Sequence, residues 1–169
     1  MKYQYRLYDY SSVFLADIPL TGLPEEVTIN GQQLFVKDEF HITLVSIRYL
    51  AEQIQATNQE SVLHQLIEEF ETFTEKTSLE KYTISNDFRF VQDKGRTTVI
   101  VMAEVLNLDK FFERLNQKFS IKLPKQPTHV TLYRYPKDFI GIGIPSAEVL
   151  ANIANPLEIT DMSYFKTLT

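Results

Sequence analysis

The chain contains no cysteine among its 169 residues. Without a thiol there can be no disulfide, no thiolate nucleophile, and no zinc or iron–sulfur site with cysteine ligands. A reducing compartment is compatible with this composition. The missing cysteine therefore removes thiol chemistry from the functions to consider.

Long apolar runs are also missing. The longest aliphatic run, Val99 to Ala103, is far too short to span a bilayer. The first residues, Met1 to Arg6, lead into mixed polar sequence rather than the apolar stretch of a signal peptide. We therefore expect a soluble, cytoplasmic protein with no membrane partner.

Positive charge is in short supply. Lysine and arginine number 17 against 22 acidic residues, which gives a net charge of −5 and a pI of about 5.2. The chain lacks the basic field that supplies non-specific nucleic-acid affinity, so long duplex RNA is not an expected ligand. A local site can still hold one phosphate and one or two nucleosides, because such a site needs only a few hydrogen-bond donors.

The length and the 44% hydrophobic content predict a single domain over residues 1–169 with a substantial core. In the first half, Val13 to Ile18 is predicted as a strand, and Asn30-Gly31 as the centre of a hairpin turn. Leu34 to Arg48 is predicted to be extended. A capping box over residues 57–60 predicts a helix that starts at Thr57 and runs to about Lys76.

The second half repeats this mixture of strands and helices. We predict strands over Tyr82–Val91, Thr97–Val105, Thr128–Arg134 and Leu157–Phe165, a turn at Asp93-Lys94-Gly95, a helix with the apolar stripe Leu108, Phe111, Phe112, Leu115 and Phe119, and a helix from the cap Ser146 to Ile153. No linker or charge block divides the chain. The order of elements predicts an α+β domain built from two similar halves.

Each half contains one copy of a His-x-Thr tripeptide in an apolar frame. The copies are His41-Ile42-Thr43 and His129-Val130-Thr131, and they use two of only three histidines in the chain. Side chains alternate between the two faces of a strand, so each His shares a face with its Thr while the residue between them points to the core. The doubled pattern predicts two polar pairs that flank one groove.

Paired motifs of this form, 88 residues apart (129 − 41), resemble those of the 2H phosphoesterase superfamily, which includes the 2′-5′ RNA ligases and cyclic nucleotide phosphodiesterases. The resemblance spans nearly the whole chain, although its specific content is two short motifs and an order of elements. It implies two pseudo-symmetric lobes of antiparallel sheet, with helices outside and a central groove. The implied substrate is a 2′,3′-cyclic phosphate on a nucleotide or an RNA terminus.

The chemistry of the residues agrees with that implication. Imidazole titrates near neutrality, so His41 and His129 can serve as general acid and general base at one pH, in an order that the sequence leaves open. The hydroxyls of Thr43 and Thr131 can donate hydrogen bonds to phosphoryl oxygens and stabilise charge that builds there. This scheme requires no metal and no cofactor, and it works in a monomer.

Several other residues are candidates of lower rank. Tyr133 is predicted on the same strand face as His129, where it could contact substrate or lie at the rim of the groove. Arg134 follows the second motif at a position where related enzymes often carry a basic residue. Strict alternation, however, predicts that the Arg134 side chain points to the opposite face. Glu39 could orient His41, Phe88 and Phe90 could stack on a base or fill the core, and His64 is predicted to be a solvated helix residue.

Three alternatives to a metal-independent phosphodiesterase stay open. The same groove could belong to a non-catalytic module that binds or sequesters a nucleotide, or the motifs could be incidental to a structural domain. A zinc site formed by His41, His129 and a carboxylate is also conceivable, but it leaves both threonines without a role.

Overall fold

The fold is α+β, as predicted, with a large antiparallel sheet. The computed structural model describes residues 3–5, 12–54 and 58–158. Within those ranges it contains nine strands: β1 Tyr3–Tyr5, β2 Val13–Leu15, β3 Glu26–Ile29, β4 Gln32–Val36, β5 Ile42–Val45, β6 Tyr82–Asp93, β7 Arg96–Val105, β8 Thr128–Tyr135 and β9 Ala154–Pro156. The four helices there are α1 Ile47–Gln53, α2 Gln59–Thr74, α3 Leu108–Phe119 and α4 Ala147–Ile153.

The nine described strands form one sheet in the order β1-β2-β5-β8-β7-β6-β9, and every pairing is antiparallel. The β3–β4 hairpin joins this sheet through β4, which pairs with the second half of β8. Strands from the first and second halves of the chain therefore meet where β5 lies beside β8. Those are the two strands that carry the motifs.

The two faces of the sheet bury clusters of different size. The main core contains buried side chains from β2, β5, β7 and β8 together with those of α1, α2 and α3. The smaller cluster consists of Val91, Ile100, Ile142 and Ile144, with Met102, Phe139 and the α4 residues Leu150 and Ile153 packed against it. The segment after β8 and helix α4 thus cover part of the second face.

The turns predicted at Asn30-Gly31 and at Asp93-Lys94-Gly95 are both confirmed. Asn30 and Gly31 have φ values of 51° and 76°, and Lys94 and Gly95 have 48° and 75°. Positive φ at both central residues is the requirement of a type I′ turn, which matches the twist of antiparallel strands. The Asn-Gly and Lys-Gly pairs therefore fix the β3–β4 and β6–β7 hairpins.

The prediction of one extended segment over Leu34–Arg48 is wrong. Strand β4 ends at Val36, β5 covers only Ile42–Val45, and α1 begins at Ile47. The residues after Ser46 bury Ile47, Leu50 and Ala51 on one helical face. The sequence does not predict this short helix, because the apolar residues of β5 come directly before it and hide the helical spacing.

Two predicted boundaries also differ from the structure. The N-cap of α2 is Asn58, whose Oδ1 accepts the N–H of Ser61 at 3.1 Å, whereas Thr57 lies outside the described residues. The last described strand, β9, ends at Pro156, before the predicted start at Leu157. Most of the predicted strand Leu157–Phe165 lies outside the described residues.

In the described part of the chain, no helix combines the length and the apolar character needed to cross a membrane.

Candidate active site

The pairing of β5 with β8 brings the two motifs side by side. Ile42 is the register partner of Val130, and both side chains are fully buried in the main core. The flanking polar residues therefore point to the opposite face. Extending the register by one residue sets His41 across from Thr131 and Thr43 across from His129, so the histidines occupy one diagonal of a square and the threonines the other. Such diagonal neighbours have Cβ atoms on the order of 7 Å apart.

Each motif strand carries a β-bulge directly after its threonine. Along β2–β5 the partners change from Phe14 with Thr43 to Val13 with Val45, which leaves Leu44 as an extra residue. Along β7–β8 they change from Ile100 with Thr131 to Val99 with Tyr133, which leaves Leu132 as an extra residue. Bulges bend a strand and redirect its side chains, and they are frequent next to active sites. The motifs thus share a backbone irregularity as well as a sequence.

All four motif residues line one cavity of about 370 Å³. One wall is formed by residues 140–145, and another by Arg48, Tyr49 and Glu52 of α1. Cavities that bind small molecules commonly measure about 300 to 1,000 Å³. The two motifs therefore face a space that is large enough for a small ligand.

His129 is the more buried of the two histidines, with 8% of its surface exposed. Burial, and to a smaller extent the nearby charge of His41, lower the pKa of His129 to about 4. The Nδ1 atom is shielded and has no hydrogen-bond partner among the described residues. In this structure His129 is consequently a neutral imidazole at pH 7.

His41 has a more open environment. It is partly exposed, and its ring lies against Phe14 with 5.0 Å between ring centroids. Phe14 is the register partner of Thr43 on the neighbouring strand β2. The two histidines therefore have different surroundings although their local sequences match.

The threonine hydroxyls face the same cavity. Within the described residues, neither the Thr43 nor the Thr131 hydroxyl takes part in a side-chain hydrogen bond. A Cβ atom added at Gly141 would lie 3.8 Å from Oγ1 of Thr131, so the 140–145 segment passes close to that hydroxyl. Gly141 has a φ of 147°, which a residue with a side chain rarely adopts.

The bulge after Thr131 reverses the face of Tyr133. Tyr133 is fully buried in the main core, and its hydroxyl donates to the carbonyl of Pro24 at 3.2 Å. The predicted shared face of Tyr133 and His129 is therefore wrong, because one inserted residue reverses the alternation. Tyr133 does not line the cavity.

Arg134 also stays out of the cavity lining, but it holds one wall. Its Nη1 donates to the carbonyl of Phe139 at 3.1 Å, and its Nη2 pairs with Asp38 at 2.6 Å. Lys37 Nζ donates to the next carbonyl, that of Ile140, at 2.8 Å. Two cations thus anchor the start of the segment that passes over Thr131.

The other candidate residues from the sequence lie outside the cavity lining. Phe88 and Phe90 are buried in the main core, so of the two predicted alternatives the structure has core packing and not base stacking. His64 is exposed on α2, as predicted, and Glu39 is exposed outside the cavity lining. Among residues 3–5, 12–54 and 58–158, no group of three His, Cys, Asp or Glu side chains is arranged to hold a metal ion.

Sequence reasoning missed several residues of the cavity. The sequence predicts no site role for Arg48, Tyr49 and Glu52, because it does not predict their helix. Gln126 lies between Pro124 and Pro127, in a segment that the sequence predicts as a loop before β8. The Gln126 side chain is nevertheless only 4% exposed and lines the cavity. Its Oε1 accepts the N–H of Ser46, the N-cap residue of α1, at 2.7 Å. Nothing in the sequence around Gln126 signals this contact, because its partner is 80 residues away.

Comparison with known protein families, with curated proteins and with solved structures gives no match to this chain. The resemblance to 2H phosphoesterases rests on the two His-x-Thr motifs and remains a prediction.

Proposed function

We propose that the protein is a metal-independent phosphodiesterase of the 2H type that opens a 2′,3′-cyclic phosphate or a related small or terminal phosphodiester. The observation that carries this proposal is the square of two histidines and two threonines on one cavity. In that arrangement a phosphate at the centre has an imidazole on each of two opposite sides, as in-line displacement requires.

The burial of His129 supports its assignment as the general base. A neutral imidazole can accept a proton at pH 7. In the proposed step His129 takes a proton from water while the water oxygen bonds to phosphorus. The bond from phosphorus to one ribose oxygen breaks, and protonated His41 gives that oxygen a proton. In the analogous ligation, a 5′-hydroxyl takes the place of water and attacks the phosphorus of the cyclic phosphate, which gives a joined product.

The threonines supply charge stabilisation in this scheme. Hydroxyls that already point at the site can donate to the non-bridging oxygens, where charge builds in the transition state, without reorganising first. Two such donors on the diagonal that crosses the histidines reach different oxygens of the same phosphate.

The size and charge of the site favour a short substrate. A cavity of about 370 Å³ suits one phosphate and one nucleoside, and the net charge of −5 gives no field to attract a long duplex. We infer that the two halves of the chain act as two lobes with the substrate groove along the seam of β5 and β8. We further propose that the protein acts as a cytoplasmic monomer without a cofactor.

A substrate panel in excess chelator tests the proposal. We expect turnover of at least one 2′,3′-cyclic nucleotide or cyclic-phosphate-ended oligonucleotide, with a phosphomonoester as product. Activity that returns only on addition of zinc or manganese would contradict the mechanism. Binding without turnover would instead support the non-catalytic, sequestering module.

A further inference from the structure

The amide of Gln126 is fixed in one orientation at the wall of the cavity. Its Oε1 accepts the Ser46 N–H at 2.7 Å, which ties the start of β8 to the start of α1. Reversal of the amide would set an NH2 group against that N–H, so the hydrogen bond determines where Nε2 lies. The contact stands at the end of the β5–β8 ladder that also holds Thr43 and His129.

The Nε2 atom of Gln126 is shielded from solvent and has no hydrogen-bond partner among the described residues. Buried amide N–H groups are almost always paired, and one that is not paired requires an explanation. Because Oε1 is already occupied, the free end of this side chain offers donors only. Its missing partner must therefore be a hydrogen-bond acceptor.

We propose that Gln126 Nε2 donates a hydrogen bond to a non-bridging phosphoryl oxygen of the substrate and so forms a third phosphate donor beside Thr43 and Thr131. This inference rests on the proposed function, because a phosphate bound between the histidines is the acceptor that completes the site. An ionised phosphoryl oxygen has no proton to donate and matches a group that only donates. A neutral amide also binds the anion without placing another positive charge in the cavity.

Nuclear magnetic resonance of the whole protein tests the contact directly. The side-chain NH2 signals of Gln126 are identified by their loss in Gln126→Glu, and the protein is then titrated with adenosine 2′-monophosphate and, separately, with adenosine. We expect the Gln126 amide protons to move downfield with the monophosphate and to stay in place with adenosine. The imidazole signals of His41 and His129 are followed in the same titrations.

Two variants add a measure of affinity. Gln126→Glu keeps an oxygen for the Ser46 N–H but replaces the donor, and we expect it to bind the monophosphate about 10- to 100-fold more weakly. Gln126→Met removes both hydrogen bonds and should weaken binding as well, whereas the matched control Gln92→Glu, on an exposed position of β6, should bind as the wild type does. Thermal unfolding of each variant without ligand shows that it is folded.

The outcomes distinguish this inference from the proposed function. If the histidine signals respond to the monophosphate while the Gln126 amide does not, the site binds phosphate without Gln126 and the inference is overturned. The same conclusion follows if both Gln126 variants bind as tightly as Gln92→Glu. If neither the histidines nor Gln126 respond to any nucleotide or to a cyclic phosphate, the proposed function fails and takes the inference with it.

Discussion

The two motif strands have the same sequence pattern but different surroundings. Strand β5 is four residues long, and His41, just before it, keeps partial exposure beside Phe14. Strand β8 is eight residues long, with β7 on one side and β5 and β4 on the other, and the 140–145 segment passes close to its Thr131. Burial lowers the pKa of the second imidazole, His129, which makes it a weaker proton acceptor and favours its neutral form at pH 7. The comparison teaches that the strands and segments around a repeated motif, and not the motif itself, determine how deeply its imidazole is buried.

Removal of either histidine should have the largest effect. We expect His41→Ala and His129→Ala to lower turnover of a cyclic phosphate by ~10²- to 10⁴-fold, because each removes a positioned proton carrier. The control is His64→Ala, which changes the exposed histidine of α2 and should leave turnover unchanged.

A substrate with an acidic leaving group sharpens the comparison between the histidines. Such a leaving group departs without a proton, so it should rescue the variant that lacks the acid, His41→Ala, and not His129→Ala. Rescue of His129→Ala alone would reverse the two roles. Wild-type turnover in both folded histidine variants would show that the motifs are not the active site.

The threonines should contribute equally and less than the histidines. We expect Thr43→Val and Thr131→Val each to reduce turnover about 10- to 100-fold, since each loses one donor to the charge that builds on phosphate. The pH profile of each variant should keep its shape, because no titrating group is removed. A profile that changes in one variant only would mean that its threonine acts through the neighbouring histidine.

The pH dependence of kcat/KM should reveal the buried histidine. Activity requires one neutral and one protonated imidazole, so the profile should be bell-shaped, with apparent values that belong to the coupled pair. Because the pKa of His129 is lowered to about 4, the acidic limb should fall below the usual range of histidine. An acidic limb near pH 6.5 would contradict a neutral, buried base.

Stability should also depend on His129. Its pKa is lowered on folding, so the unfolded chain binds a proton that the folded protein excludes, and stability is lost as the pH falls from about 6.5 towards 4. The lowering of the pKa from 6.5 to about 4 corresponds to a loss of about 3 kcal/mol in the free energy of unfolding below pH 4. Urea unfolding of wild type and His129→Gln at pH 7 and at pH 4.5 should show a smaller acid-induced loss in the variant.

The smallest effect is expected from the anchor of the 140–145 segment. Arg134→Met removes the bond to the Phe139 carbonyl, and we expect a rise in KM of roughly 3- to 10-fold with kcat changed less. Asp38→Asn disturbs only the exposed ion pair of Arg134 and serves as the matched control. Equal effects of the two variants would show that the ion pair, and not the carbonyl contact, positions the wall.

The regular parts of the fold could be predicted because their causes are local. The turns at Asn30-Gly31 and Lys94-Gly95 follow from residues that accept positive φ, and the alternation around Ile42 and Val130 predicted which motif residues face away from the core. The face of Tyr133 could not be predicted, because a bulge depends on how β8 pairs with β7. The contact of Gln126 with Ser46 was equally invisible, since it joins segments that meet only in the folded protein.

The direct pairing of β5 with β8 has a consequence for folding. Each half of the chain contributes one histidine and one threonine, so a partly folded chain in which only local hairpins have formed contains no complete site. Pairing across such a long loop occurs late and slowly compared with local contacts, because its loop-closure entropy must be overcome first. A ligand that binds only the completed site therefore selects molecules with that seam closed and raises the melting temperature in proportion to the logarithm of its concentration above Kd.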